Sequence, residues 1–261
     1  MKIDVCNISK TFTRCAGEEN IVLDDISFAA SSGDFVVILG ESGGGKTTLL
    51  NLLSGLEPPT SGDIFVDGIK VNGLHPSRSM LFQQPVLLPW LTVKDNVAYG
   101  CRIRGDIENL DYRVYQFIEM IGLSGFENAK PASLSLGMAQ RVCLARALVG
   151  HPEMILLDEP FASLDTFTQE HIQEELVNIW LSERFTAVFV THDINEAILL
   201  GNRIILIGGY PGCVIGVYDI DDPYPRNIND SSFKSYRKKI LTNLKQSHVG
   251  SKKFFQCILN E

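Results

Sequence analysis

Residues 35–53 constrain the fold more than any other stretch of the chain. Phe35-Val36-Val37-Ile38-Leu39 is apolar and rich in β-branched residues, the mark of a strand buried on both faces. The glycine-rich run Gly40 to Gly45 breaks it. Lys46-Thr47-Thr48-Leu49-Leu50-Asn51-Leu52-Leu53 then resumes with helical character. Strand, glycine loop and helix is the order a parallel α/β sheet requires. The loop Gly40-Glu41-Ser42-Gly43-Gly44-Gly45-Lys46-Thr47 also satisfies G-x-x-x-x-G-K-[ST]. Glycines let the backbone wrap closely round phosphate oxygens, where a Cβ would block the approach. Successive N–H groups and the helix N-terminus then face the negative charge. Lys46 is placed to reach the β- and γ-phosphates, Thr47 to ligate Mg²⁺, and Thr48 lies in the same first turn. By itself the loop specifies a nucleoside triphosphate. GTP is disfavoured because no Asn-Lys-x-Asp occurs, while kinases and helicases stay open.

Two further buried strands are expected at Met154-Ile155-Leu156-Leu157 and Thr186-Ala187-Val188-Phe189-Val190. Each ends in a polar cluster, Asp158-Glu159-Pro160 and Thr191-His192-Asp193. Open α/β sheets bind ligands beyond the carboxyl ends of their strands, so three such ends can build one site. Asp158 suits a Mg²⁺-side acid acting largely through water. Glu159 suits the base that positions or deprotonates the attacking water. His192 can hydrogen-bond the γ-phosphate and hold that water. Gln83 follows the apolar Met80-Leu81-Phe82 and can contact Mg²⁺ and the water, with Gln84 beside it as the alternative.

Around this core, residues 2–8 and 20–29 suggest antiparallel strands, and Gly62 to Gly68 a short strand ending in an Asp-Gly turn. Residues 92–150 read as a helical lobe. The six cysteines are scattered, without metal-ligand or disulfide spacing, and are expected to be small apolar residues in or near the core. No apolar run approaches the ~18 residues of a membrane helix, and Met1-Lys2-Ile3-Asp4 lacks the apolar core of a signal peptide. The chain is thus expected in the cytoplasm unless another protein carries it to a membrane.

The net charge of −8 argues against a nucleic-acid partner. It is unevenly spread. Residues 226–261 hold eight Lys/Arg and two acids, or +6, and residues 1–225 hold fifteen and twenty-nine, or −14. The tail is therefore a separate piece in composition, and its plain reading is a solvated basic helix. A helix is expected after Asp230, Ser231 and Ser232, with Phe233, Tyr236, Ile240, Leu241 and Leu244 on one stripe that docks on the chain itself or on a partner.

Leu134-Ser135-Leu136-Gly137-Met138-Ala139-Gln140-Arg141, some two dozen residues before the acidic strand end, resembles the signature motif of ATP-binding cassette proteins, usually Leu-Ser-Gly-Gly-Gln. The phosphate loop, Gln83, this segment, Asp158-Glu159, the Ser163-Leu164-Asp165 turn and His192 match that family in order and spacing over residues 2–215. Leu136 stands where the family has its first signature glycine, and Met138 where it has glutamine. The resemblance implies a phosphate-loop α/β core with a parallel sheet, an antiparallel β subdomain and an inserted helical subdomain. Residues 1–91 and 151–215 would be the ATP-binding core, 92–150 the helical subdomain with the signature, and 216–261 a C-terminal extension.

It also implies ATP and Mg²⁺ as ligands, with Phe12 stacked on adenine unless it is core. Two cassettes would sandwich two ATPs, Ser135, Gly137 and Met138 of one facing the γ-phosphate on the other, with Asp165 at the interface. Integral membrane permease subunits and, indirectly, a substrate-binding protein would be partners on the inner face of the membrane. Within the family, Leu87-Leu88-Pro89-Trp90-Leu91-Thr92-Val93-Lys94-Asp95-Asn96-Val97, the Tyr210-Pro211-Gly212 turn and Asp222-Pro223-Tyr224-Pro225-Arg226 are similar to importers of nitrate, sulfonates and taurine. Trp90 is then a contact with the membrane partner or part of the core. A soluble cassette ATPase uncoupled from transport is the alternative.

Overall fold

Alternation of apolar and polar residues builds the first sheet. The computed structural model describes residues 1–13 and 18–258, with side chains described through residue 246. Strand β1 (Ile3–Thr13) buries Ile3, Val5 and Ile8, and pairs antiparallel with β2 (Glu19–Ala30), which buries Leu23, Ile26 and Phe28. Strand β3 (Phe35–Gly40) is buried at all six positions and leads through the glycine loop into α1 (Lys46–Ser54). Strand β4 (Ser61–Val66) pairs with the other side of β1 and turns into β5 (Ile69–Lys70), giving the order β2-β1-β4-β5. Asp67 and Gly68 both take positive φ, 50° and 76°, as a tight hairpin turn with the twist of its strands requires.

Strand β6 (Arg78–Leu81) is separated in sequence from its parallel partner by three helices, α2 (Val93–Arg104), α3 (Leu110–Met120) and α4 (Leu136–Leu148). That partner is β7 (Met154–Asp158), and α5 (Thr166–Glu183) follows it. Local chemistry fixes the first of these helices. Thr92 Oγ1 accepts from Asp95 N at 3.2 Å and donates to the Asp95 carboxylate at 2.6 Å, and Arg102 reaches that carboxylate at 2.8 Å. The Thr92 hydroxyl and then the Arg102 guanidinium hold the Asp95 carboxyl below the usual range.

The last segment supplies β8 (Thr186–Thr191), α6 (Ile194–Leu200), β9 (Arg203–Gly208), β10 (Cys213–Asp219) and α7 (Ser231–Ile258). Strand β3 lies between β8 and β9, parallel to both, and β10 runs antiparallel to β9. The chain makes two compact units. One is Met1–His75 with Thr186–Glu261, holding the antiparallel sheet and the strands around β3; the other is Pro76–Phe185, holding the helices α2 to α5 around β6 and β7.

The C-terminal helix docks on its own unit. Phe233 and Ile240 are buried, α7 packs on α6, β9 and β10, and Asn243 Nδ2 donates to the Tyr218 hydroxyl at 2.7 Å. The break in composition at residue 226 is not a structural boundary, because Arg226 is engaged with backbone carbonyls of the unit rather than solvated. Cys101 and Cys143 are buried as expected, and desolvation pushes both thiols up. Cys6 is exposed instead, since it points away from the core face that Val5 fills; Cys15 and the side chain of Cys257 lie outside the described residues. Among the described residues, no helix is long and apolar enough to cross a membrane.

Candidate nucleotide site

In the first unit the glycine loop is held from behind as well as from within. Gly43 and Gly45 both take φ of 84°, a conformation that side-chain-bearing residues avoid, and Gly45 serves as N-cap of α1. Gly44 N donates to the Glu41 carbonyl at 3.2 Å, and Lys46 Nζ to the same carbonyl at 2.8 Å. Lys46 is only 5% exposed, so its ammonium is folded back into the loop it belongs to. Thr47 is exposed at the first turn of α1 and Thr48 half-buried. A Cβ on Gly45 would meet Leu23 Cδ2 at 2.6 Å, so β2 closes one side of the loop.

Gly212, whose part in the site sequence reasoning missed, closes the loop at a second place. Its N–H donates to Val22 O at 2.9 Å, its carbonyl accepts from Asp24 N at 3.0 Å, and a Cβ there would lie 2.4 Å from Gly44 O. Backbone against backbone cannot relax by rotating a side chain. Gly212→Ala is therefore expected to destabilise the protein by about 1–3 kcal/mol and to weaken ATP binding by displacing the Gly44 carbonyl. Thermal melts with and without Mg-ATP check this; unchanged melting and an unchanged nucleotide shift would show that the loop does not depend on the brace. The Tyr210-Pro211-Gly212 turn was the available signal in the sequence.

His192 is exposed just past the end of β8, between a strand buried throughout and a firmly capped helix. Asp193 caps α6, accepting from Asn195 N at 2.6 Å and Glu196 N at 3.3 Å, while the Thr191 hydroxyl donates to the Glu196 carboxylate. Phe12, near the end of β1, is 37% exposed and therefore not core; Lys10 Nζ sits 4.8 Å from its ring centroid.

The second unit carries the acids and the signature. Asp158 is 2% exposed as the last residue of β7. Glu159 follows it half-buried, with φ at 42°, a left-handed conformation that a non-glycine residue adopts only where its surroundings hold it. Ala162 N and Leu164 N bond to the carbonyls of Glu159 and Phe161 at 3.3 and 3.0 Å, turning the chain toward Asp165. Asp165 caps α5 by accepting from Thr168 N at 3.1 Å, and its carboxyl is held below the usual range chiefly by its hydrogen bond with Thr168. Gln83 and Gln84 are both exposed after β6.

Ser135 is the N-cap of α4, its hydroxyl accepting from Met138 N at 3.2 Å, so Gly137 and Met138 lie in the first turn where helical N–H groups point outward. Gly137 is packed against the turn before Asp165: a Cβ would stand 3.1 Å from Ser163 O. Leu136 directs its side chain to solvent, 62% exposed, so the departure from glycine does not disturb the packing beneath it. Gln140, one turn further on, is 2% exposed and donates to the Phe82 carbonyl at 3.3 Å, which ties α4 to the residue before Gln83. Sequence reasoning assigned Gln140 no role, and its partner lies too far along the chain for any local pattern to indicate it. Trp90 is 67% exposed, which removes the core reading; Lys130 Nζ donates to its carbonyl at 2.7 Å.

A buried parallel strand released through a phosphate-type glycine loop onto a helix, with acidic residues ending another such strand, defines a nucleoside-triphosphate-binding protein. The model of the ABC transporter family matches residues 23–162, and the chain belongs to that family as an ATP-binding subunit. An aliphatic sulfonates import ATP-binding protein, SsuB of Bacillus cereus, is 42% identical over 241 residues, covering 92% of this chain and 95% of that protein. The bicarbonate transport ATP-binding protein CmpC of Synechococcus elongatus is 39% identical over 252 residues, 94% of this chain and 38% of that longer protein. Among solved structures, the dimeric post-hydrolysis state of the ATP-binding cassette MJ0796 bound to ADP and Pi superposes with a TM-score of 0.76 at 34% identity, covering 85% of this chain and 100% of that one. The family is one of ATPases whose cassettes dimerise.

Proposed function

We propose that this chain hydrolyses ATP to drive an importer of a small anion, two copies closing on two nucleotides in each cycle. The observation that carries the reading is the strand end Asp158-Glu159, a buried carboxylate followed at once by a half-buried one in a left-handed conformation. Two adjacent acids with such different surroundings suit different tasks. In this reading residues 1–91 and 151–215 form the catalytic core, 92–150 the helical subdomain and 216–261 the extension. The loop amides of Gly40 to Gly45, with Glu41 and Ser42 contributing main-chain groups, cradle the phosphates, and Lys46 balances their charge. Glu159 holds and deprotonates the attacking water, His192 bonds the γ-phosphate, and Gln83 orients the water. Phe12 offers its ring to adenine. Ser135, Gly137 and Met138 of one copy direct the N-terminal amides of α4 at the γ-phosphate on the other, with Asp165 at the interface.

Thr47, Gln83 and Asp158 are all oxygen donors, the set that suits Mg²⁺. Among the described residues no cluster of three His, Cys, Asp or Glu forms a cage, and Mg²⁺ needs none when phosphates and water complete its shell. Bound there, Mg²⁺ would neutralise charge on the phosphate oxygens. Trp90, exposed beside the firmly held start of α2, suits docking of a membrane permease, which would keep the chain on the inner face of the membrane. The anion class is supported by the likeness to SsuB and CmpC, whose names carry sulfonates and bicarbonate. Purified protein is expected to release phosphate from ATP only with Mg²⁺ present. Cells lacking the coding sequence are expected to lose uptake of labelled alkanesulfonate. Intact uptake of sulfonate together with lost uptake of bicarbonate would move the substrate to the second relative's class, and intact uptake of both would remove the importer reading.

A further inference from the structure

We infer that Tyr224 and Arg226 of the C-terminal extension are positioning residues for His192, acting through α6. The proposal rests on the reading of His192 as a γ-phosphate contact. Helix α6 spans only seven residues, Ile194–Leu200, and begins two residues after His192. A helix this short has little internal hydrogen bonding, because its last four carbonyls have no partner within it. Here carbonyls at that end are taken by the extension. Arg226 Nη1 donates to Ile198 O at 2.7 Å and to Gly201 O at 2.6 Å, and the Tyr224 hydroxyl donates to Leu200 O at 2.6 Å.

The same guanidinium is anchored on its other side, Nη2 to Ile220 O at 3.1 Å and Nε to Asp222 O at 3.0 Å, with its carbon 4.1 Å from the centroid of the Tyr224 ring. One planar cation thus joins the end of α6 to the strap that follows β10. Arg237 on α7 adds a bond near the start of the helix, Nε to Asn195 Oδ1 at 3.2 Å. With Asp193 and Thr191 capping that start, α6 is gripped at both ends, and His192 is the residue left exposed between the grip and the buried strand β8. A positive charge at a helix C-terminus also opposes the partial negative charge gathered there. Lysine keeps the charge but has no planar fork to span two carbonyls while anchored to two others.

The test uses the full chain and Mg-ATP. In Arg226→Lys, the maximal hydrolysis rate is expected to fall about tenfold while KM and the affinity for a fluorescent ATP analogue stay within about twofold of the parent. Arg226→Gly should show the same loss and recover part of the rate when guanidinium ion is added. Should either variant fold poorly, Tyr224→Phe, which deletes one hydroxyl, should lower the rate in the same direction by a few-fold at unchanged affinity. In a His192→Ala background, Arg226→Lys should add no further loss, because the two act on one step. A folded Arg226→Lys protein at the parent rate overturns the proposal, as does a loss of affinity in step with the rate, or a full tenfold loss on top of His192→Ala. If His192→Ala alone hydrolyses ATP at the parent rate, the histidine assignment itself fails. If His192→Ala is inactive and Arg226→Lys is not, only the positioning role falls.

Discussion

Glu159→Gln protein is expected to bind ATP as the parent does and to turn it over at least about a hundredfold more slowly. The amide keeps the volume and the left-handed backbone that φ of 42° imposes, and it loses the basicity. It also removes one negative charge from near the phosphates, which favours binding. ATP then persists between two copies, and mass action favours the closed pair. Light scattering should show a shift from monomer toward dimer with Mg-ATP and not with Mg-ADP, which lacks the γ-phosphate that the start of α4 would grip. Adding Ser135→Arg should abolish the shift, because a long side chain blocks the approach. That change also removes the hydroxyl that accepts from Met138 N, a loss of about 1 kcal/mol of helix capping, so its melting must be measured alongside. Parent-rate hydrolysis by Glu159→Gln would refute the base.

What the sequence disclosed here was what lies close together along the chain. Phe35 to Leu53 is continuous, and so are Asp158-Glu159, Ser135 to Met138 and Thr191 to Asp193. In all but Ser135 to Met138, which reads through its resemblance to the family signature, an apolar run ends in residues whose chemistry is legible without knowing the neighbours. The three contacts that escaped reading join distant segments: Gly212 against Gly44, Gln140 on the Phe82 carbonyl, and Arg226 on α6. Arg226 misled for a further reason. Counted as charge it belongs with the basic tail, whereas its hydrogen bonds place it in the body, and charge counting does not see backbone carbonyls. Trp90 stayed ambiguous because an aromatic beside a helix start reads the same whether it faces in or out; only its exposure decides.

The second large effect is expected at Lys46→Ala. The ammonium is already held in place, bonded to the Glu41 carbonyl at 2.8 Å and almost wholly buried, so little ordering remains to be done when phosphate arrives. A hydrogen bond to a charged group contributes about 1.5–3 kcal/mol, and its loss should weaken ATP binding by roughly ten- to a hundredfold. Hydrolysis should fall further, since the charge matters most as the γ-phosphate separates. Titration calorimetry with Mg-ATP measures the first effect and phosphate release the second. ATP affinity and turnover equal to the parent's in a folded variant would sink the assignment of the loop.

Helix α4 also has a mechanical meaning within its unit. Its first turn bears on the Ser163 carbonyl through Gly137, and the next turn holds the Phe82 carbonyl through Gln140. An α-helix is stiff over such a span, so the loop before Asp165 and the loop carrying Gln83 are mounted on one rod. The two loops thus share one supporting element, one contact to each from successive turns of the same helix. Of the two departures from the usual signature, Leu136 meets solvent and Met138 is half-buried, and Gly137, which bears on the Ser163 carbonyl, is kept. Support of these two loops from one helix, rather than the spelling of the motif, is what the contacts of this segment provide.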